Sequence, residues 1–205
     1  MSNIPRHKVF ISYYHAEDQQ YKDNIIRQNS LYNIFDNYSI RENDIDDTNK
    51  TSEQIRRIIR DDYMRNATVL LLLCGQRTKT RKHVDWEIHT AMYHSDANPQ
   101  MGIVVVNLPT IHQLQMSSCD DDKKYFGYVN WSAMSKIRSD IDKNFPFLPD
   151  RVAENLTRND IYTPIVDWSV ISGNIYNLAG IIDVAYNNRY RNNYDYSTPL
   201  RRNNS

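Results

Sequence analysis

The sequence predicts an α/β fold, a doubly wound parallel sheet with an insertion in its C-terminal half. Three observations carry this. Short apolar runs recur at residues 8–14, 67–73 and 102–106, and the central one is apolar on both faces, as a strand inside a parallel sheet must be. Between them lie segments with apolar residues at helical spacing. Strands alternating with helices imply crossover units that layer helices on both faces of one sheet.

Taken in order, Lys8-Val9-Phe10-Ile11-Ser12-Tyr13-Tyr14 is β-branched and aromatic and makes the first strand. His15-Ala16-Glu17-Asp18 then leads into a helix with Tyr21, Ile25 and Ile26 on its apolar positions. A short second strand is expected at Ile34-Phe35-Asp36, followed by a polar, exposed loop over residues 41–50. Thr51-Ser52-Glu53-Gln54 has the form of a capping box, in which the Thr hydroxyl and the Gln amide satisfy orphan backbone donors. The helix it starts places Ile55, Ile58, Ile59 and Tyr63 on one face. Residues 67–73 form the central strand, 80–94 the next helix and 102–106 the third apolar strand. From 107 to about 160 the rhythm is lost, which reads as an insertion or lid over the sheet, with one helix around 131–143. Residues 162–168 make the last strand, and a closing helix over 174–187 uses Ile175, Leu178, Ile182 and Ala185. Residues 1–190 are expected to form a single domain and 191–205 a tail. The Asn/Arg/Tyr-rich stretch from Asn188 onward is expected to pack weakly or fray.

Composition excludes several classes of function. Lys+Arg and Asp+Glu both number 25, so the basic excess of a nucleic-acid binder is missing. The longest apolar run, from Val69 to Cys74, is far short of the roughly 20 residues that cross a bilayer. The first residues lack the apolar stretch of a signal peptide, and two cysteines, Cys74 and Cys119, cannot make a disulfide framework, so a cytoplasmic protein is expected. Gly75, Gly102, Gly127, Gly173 and Gly180 are too dispersed for a Walker loop or a dinucleotide fingerprint.

Ligands of doubly wound sheets collect at the carboxyl ends of the strands, here residues 12–18, 36–50, 75–87 and 107 onward. On a helical wheel that starts at Val84, Glu87 falls at about 300°, on the shoulder of the buried face made by Val84, Ile88, Ala91 and Met92. A partly desolvated carboxylate there marks a functional site, although the position also suits a Glu that reaches water or pairs with Arg81 or Lys82. Tyr13, Tyr14 and His15 leave the first strand where they can stack on a ligand ring or simply cover the sheet edge. A calcium loop at Asp44-Ile45-Asp46-Asp47 is disfavoured, because Asn49 and Ile55 stand where the turn glycine and the bidentate Glu belong. His83, His89 and His94 share no helical face, so no metal site is expected. Ser12 or Cys74 with His15 lacks the Gly-x-Ser-x-Gly elbow of a nucleophile.

Val9-Phe10-Ile11-Ser12-Tyr13-Tyr14-His15 with Asp18, followed by Arg81-Lys82-His83-Val84-Asp85-Trp86-Glu87-Ile88, resembles the TIR-like proteins of bacterial Thoeris antiphage defence. The resemblance runs over about residues 8–187, including Pro149-Asp150-Arg151 and the closing helix, and rests on the order and spacing of short motifs. It implies a flavodoxin-like fold and chemistry on NAD+ as substrate, with no separate cofactor. TIR enzymes break the bond between nicotinamide and ribose. The resemblance to Thoeris members further implies a cyclic ADP-ribose isomer as product, which reaches a separate effector by diffusion. The family's essential carboxylate, in an aromatic-small-x-x-Glu pattern, corresponds to Glu87. Its aromatic slot, commonly Trp, is His83, with Trp86 displaced three residues on, so either ring is a candidate for the pocket. Ser12, Tyr14 and His15, which leave the first strand beside the same edge, are further candidate substrate contacts, together with Phe10. Asp44 to Asp47 occupy the TIR loop that mediates assembly, which implies a contact with another subunit, in a homo-oligomer, or with a phage-derived trigger. Neither nucleic acid nor membrane is an expected partner. The alternative within the same resemblance is a non-catalytic scaffold that signals by association.

Overall fold

The structure, a computed structural model, describes residues 4–39, 51, 54, 57, 58, 61, 64–95, 99–126 and 134–204. The loop predicted over 41–50, the face residues Ile55, Ile59 and Tyr63, and the start of the helix predicted from Trp131 lie outside them.

Strand β1 (Lys8–Ser12) leads into helix α1 (His15–Tyr32) and the two-residue strand β2 (Asp36–Asn37). Strand β3 (Val69–Cys74), helix α2 (Lys82–Met92) and strand β4 (Gly102–Asn107) follow. Three short helices, α3 (Asp120–Lys123), α4 (Arg138–Asn144) and α5 (Asp150–Asn155), precede strand β5 (Ile165–Asp167). Helices α6 (Trp168–Gly173) and α7 (Ile175–Asn188) close the sequence of elements. The five strands are all parallel, in the order β2-β1-β3-β4-β5. This is the doubly wound α/β arrangement with flavodoxin-like strand order.

Every residue of β3 and β4 is buried, because helices cover both faces of the sheet. Alternate side chains feed two cores. Phe10, Leu70, Leu72, Ile103 and Val105 pack with Val84, Ile88, Ala91 and Met92 of α2, and with Ile141, Phe145, Val152 and Leu156. Val9, Ile11, Leu71, Leu73, Val104 and Val106 pack with Ile25 of α1 and with Leu178, Ile181, Ile182 and Ala185 of α7. Much of the 107–160 segment therefore builds one core face. Its backbone also joins the sheet edge, where Met116 and Ile165 exchange hydrogen bonds of 2.8 and 2.9 Å. Close packing of α7 on β4 requires glycine at 102, since a Cβ there would stand 2.3 Å from the Ala185 carbonyl oxygen.

The capping box is present. The Thr51 N–H donates to Gln54 Oε1 (2.8 Å), and the Gln54 N–H donates to Thr51 Oγ1 (3.2 Å).

Two expectations need correction. The second strand starts at Asp36 rather than Ile34. Asn33 ends α1 in the left-handed region (φ 52°), and the Asn29 side-chain oxygen accepts the N–H groups of both Ile34 and Phe35 at 3.0 Å. Those donors are spent locally, so no ladder forms until Asp36.

The tail does not pack weakly. Tyr194 is buried, Asn155 and Asp195 exchange two 2.8 Å hydrogen bonds, and the chain runs back over α2. There the Arg201 N–H donates to Asp85 Oδ2 (2.9 Å), Trp86 Nε1–H donates to the Arg201 carbonyl (2.9 Å), and the Lys82 N–H donates to Asn204 Oδ1 (2.8 Å). The anchors are polar and mostly involve backbone, so hydropathy patterning could not register them.

Candidate functional site

In this topology the chain leaves β1 toward β2 on one side and returns to β3 on the other, so a crevice opens where the carboxyl ends of β1 and β3 diverge. Ser12, the last residue of β1, shares the face of Phe10 and points toward α2. Its hydroxyl donates to Glu87 Oε2 at 2.5 Å, and both side chains are buried, Glu87 being 9% exposed. No cation among the described residues pairs with Glu87. Desolvation pushes its carboxyl from the ordinary 4.5 up to about 8, against the opposing pull of the Ser12 hydrogen bond.

A second buried acid lies at the same edge. Asp18, in the first turn of α1, is 1% exposed and is raised from 3.8 to about 6, first by burial and then by the neighbouring Glu17 charge. Thr78 and the Tyr14 backbone hydrogen-bond it and hold the value down. Gly75, directly after β3, passes so close that a Cβ there would lie 2.5 Å from Asp18 Oδ2, so only glycine admits this carboxylate. Sequence reasoning missed Asp18 as a site acid, since acids in a helix's first turn ordinarily serve the helix dipole. The available signal was Gly75 itself, an isolated glycine closing the central strand.

The other predicted contacts take up varied positions. Phe10 is buried in the α2-side core, two residues before Ser12. Tyr14 is half-buried with the Arg81 guanidinium 4.5 Å from its ring centroid. His15 is exposed and stacks on Tyr13 with ring centroids 4.3 Å apart. His83 is half-buried and meets Trp86 edge-on at 5.0 Å. Trp86 is fully buried and bonded to the tail through Nε1. Ser12, Glu87 and Phe10 thus share one core face, while His15 lies at the exposed start of α1. Burial pushes the Cys74 thiol up to about 12, so it carries no thiolate for nucleophilic attack at neutral pH. Among the described residues no three His, Cys, Asp or Glu side chains are placed to hold a metal ion, and no helix is long and apolar enough to cross a membrane.

The family model for the TIR-like domain of the Thoeris protein ThsB matches residues 10–113. The chain belongs to that family. It is therefore a TIR-like protein of antiphage defence, and the matched region carries Ser12, Asp18 and Glu87. No curated protein matches the chain.

The Ser12–Glu87 contact defines what this TIR-like site can do. A carboxyl held by one hydroxyl in an apolar wall favours its neutral form, and a cation or a developing positive charge beside it favours the anion. Ser12→Ala removes the interaction that lowers the Glu87 pKa, so the carboxyl titrates above its present value of about 8. NMR of the labelled Glu87 carboxyl measures that rise directly, and an unmoved titration would show that the 2.5 Å contact does not form in solution.

Proposed function

We propose that the protein cleaves the nicotinamide–ribose bond of NAD+ and forms a cyclic ADP-ribose-type signal for a partner effector. One observation supports this above the rest. The chain is a Thoeris TIR-like protein whose Glu87 is a buried carboxyl at the carboxyl edge of the sheet, fixed by Ser12 and with no cation partner among the described residues.

The chemistry follows from the bond that breaks. The nicotinamide nitrogen is already cationic, so the ring departs as a neutral molecule without a general acid. Positive oxocarbenium character then grows on the ribose, and a nearby carboxylate lowers the energy of that charge. Burial that makes Glu87 reluctant to ionise also strengthens its attraction for a cation, because little water screens the pair. A bound nicotinamide cation therefore favours the ionised carboxylate it needs. Attack by water on the anomeric carbon gives ADP-ribose, and attack by an oxygen or nitrogen of the same molecule gives a cyclic product. Excluding water favours the second outcome.

The test is release of free nicotinamide from NAD+, followed by chromatography, using purified protein and lysate of phage-challenged cells that express it. Release is expected to climb as pH rises toward about 8, because the free site must lose the Glu87 proton. Failure to release nicotinamide in both preparations refutes the reading.

A further inference from the structure

The carboxyl edge carries a second concavity, away from Ser12 and Glu87. A cavity of about 380 Å³ opens between the ends of β4 and β5, within the ordinary size range of small-molecule sites. Asn107 ends β4, and Asp167 ends β5 directly opposite it in register. The Asn107 side chain is buried and saturated. Its Nδ2 donates to Asp167 Oδ1 (2.9 Å) and to the Leu114 carbonyl (3.2 Å), and its Oδ1 accepts from Gln113 Nε2 (2.7 Å). The Asp167 N–H is taken by Gln115 Oε1 at 3.0 Å. The chain therefore holds one oxygen of the Asp167 carboxylate rigidly and leaves Oδ2 without a partner among the described residues.

His112, Ser169, Ser172 and Trp168 line the same cavity, and Tyr21 braces the Trp168 indole edge-on at 5.1 Å. Among the described residues no lysine or arginine lines the cavity and His112 is its one basic side chain, so it has no permanent cation for a phosphate. No second acid among the described residues lines it either, which leaves it poorly matched to a metal ion or a polyamine. One fixed carboxylate, two serines, a histidine and an indole match a ligand with vicinal hydroxyls and a flat base. A strand-end acid that accepts from ribose hydroxyls is a recurring device of doubly wound sheets.

We infer that this cavity is a ribonucleoside site, in which Asp167 accepts from the ribose 2′- and 3′-hydroxyls and Trp168 faces the base. Two sources supply that chemistry. Because strands lie about 4.8 Å apart, the gap between β4 and β5 is roughly 10 Å along the edge from that between β1 and β3, within reach of one dinucleotide. The nucleoside is then either the far end of the NAD+ molecule, which rests on the reading of Glu87 above, or a separate nucleotide.

Calorimetric titration of the full-length protein with adenosine, 2′,3′-dideoxyadenosine and adenine tests the site without any turnover. Adenosine is expected to bind, with dideoxyadenosine and adenine weaker by about tenfold or more, the loss of one or two hydrogen bonds to a charged group. Asp167→Asn keeps an oxygen for Asn107 and should weaken adenosine by a similar factor while the melting temperature stays unchanged. Absence of adenosine binding at millimolar concentration, equal binding of dideoxyadenosine, or an unaltered Asp167→Asn variant would each overturn the site. Steady-state turnover then separates the sources. A raised KM at constant kcat in Asp167→Asn supports the far end of NAD+, and an unchanged KM with adenosine altering kcat supports a separate nucleotide.

Discussion

Glu87→Gln is expected to abolish nicotinamide release while making the protein more stable above neutral pH. The two effects have one cause. The folded protein holds the Glu87 proton up to about pH 8, whereas the unfolded chain releases it near 4.5. Between those values the native state binds more protons than the unfolded state, so stability falls as pH rises, by at most about 1.4 kcal/mol for each pH unit. Below 4.5 both states are protonated and there is no penalty; above about 8 the penalty is complete and constant. Glutamine keeps the shape and an acceptor for the Ser12 hydroxyl but has no proton to lose, so the variant escapes this decline. Urea denaturation at pH 5 and pH 9 should show wild type losing a few kcal/mol that Glu87→Gln retains. The same substitution takes away the charge that faces the oxocarbenium ion, and turnover should drop by at least about a hundredfold, as when a preorganised electrostatic group is lost. Parallel pH–stability curves would show that Glu87 is not a buried acid. Undiminished turnover in the variant would exclude it from the chemistry.

That penalty also explains which parts of the molecule were legible beforehand. Strands β1, β3 and β4 announce themselves because both faces of each lie under helices, leaving unbroken apolar runs. Glu87 is conspicuous for the opposite reason, a charge on the shoulder of an apolar stripe where an ordinary helix would place none. Asp18 was opaque, since its burial comes from Gly75 and Thr78, which only the return of β3 beside β1 brings to it. Asp167 was equally hidden, one acid at a strand end, its carboxylate oriented by an asparagine that is 60 residues distant in the chain. Local patterning records what a segment buries, and these acids are positioned by what other segments bring to them.

Asp85→Ala should strongly destabilise the packing of the helix that carries Glu87. Arg151 is 1% exposed, and its guanidinium grips Asp85 through two hydrogen bonds of 2.9 and 3.2 Å. It also donates to the tail carbonyls of Thr198 (3.0 Å) and Pro199 (3.4 Å). Asp85 Oδ2 in turn accepts the Arg201 N–H, so this one carboxylate joins α2, α5 and the tail. Alanine leaves a buried guanidinium without its counter-charge, which costs about 3–5 kcal/mol. Arg151→Met should cost less, because the Asp85 carboxylate it leaves is 13% exposed and keeps the Arg201 N–H as a donor, whereas the guanidinium is 1% exposed. The double variant should then recover part of the loss seen in Asp85→Ala, a coupling that a double-mutant cycle in urea reads directly. Limited proteolysis gives a second view: Asp85→Ala should open residues 195–204 to cleavage before the sheet unfolds, since it removes one of their three holds on α2 and leaves those of Trp86 and Lys82. If Asp85→Ala stays within about 1 kcal/mol of wild type, the guanidinium has found water and the ion pair is not a structural lock.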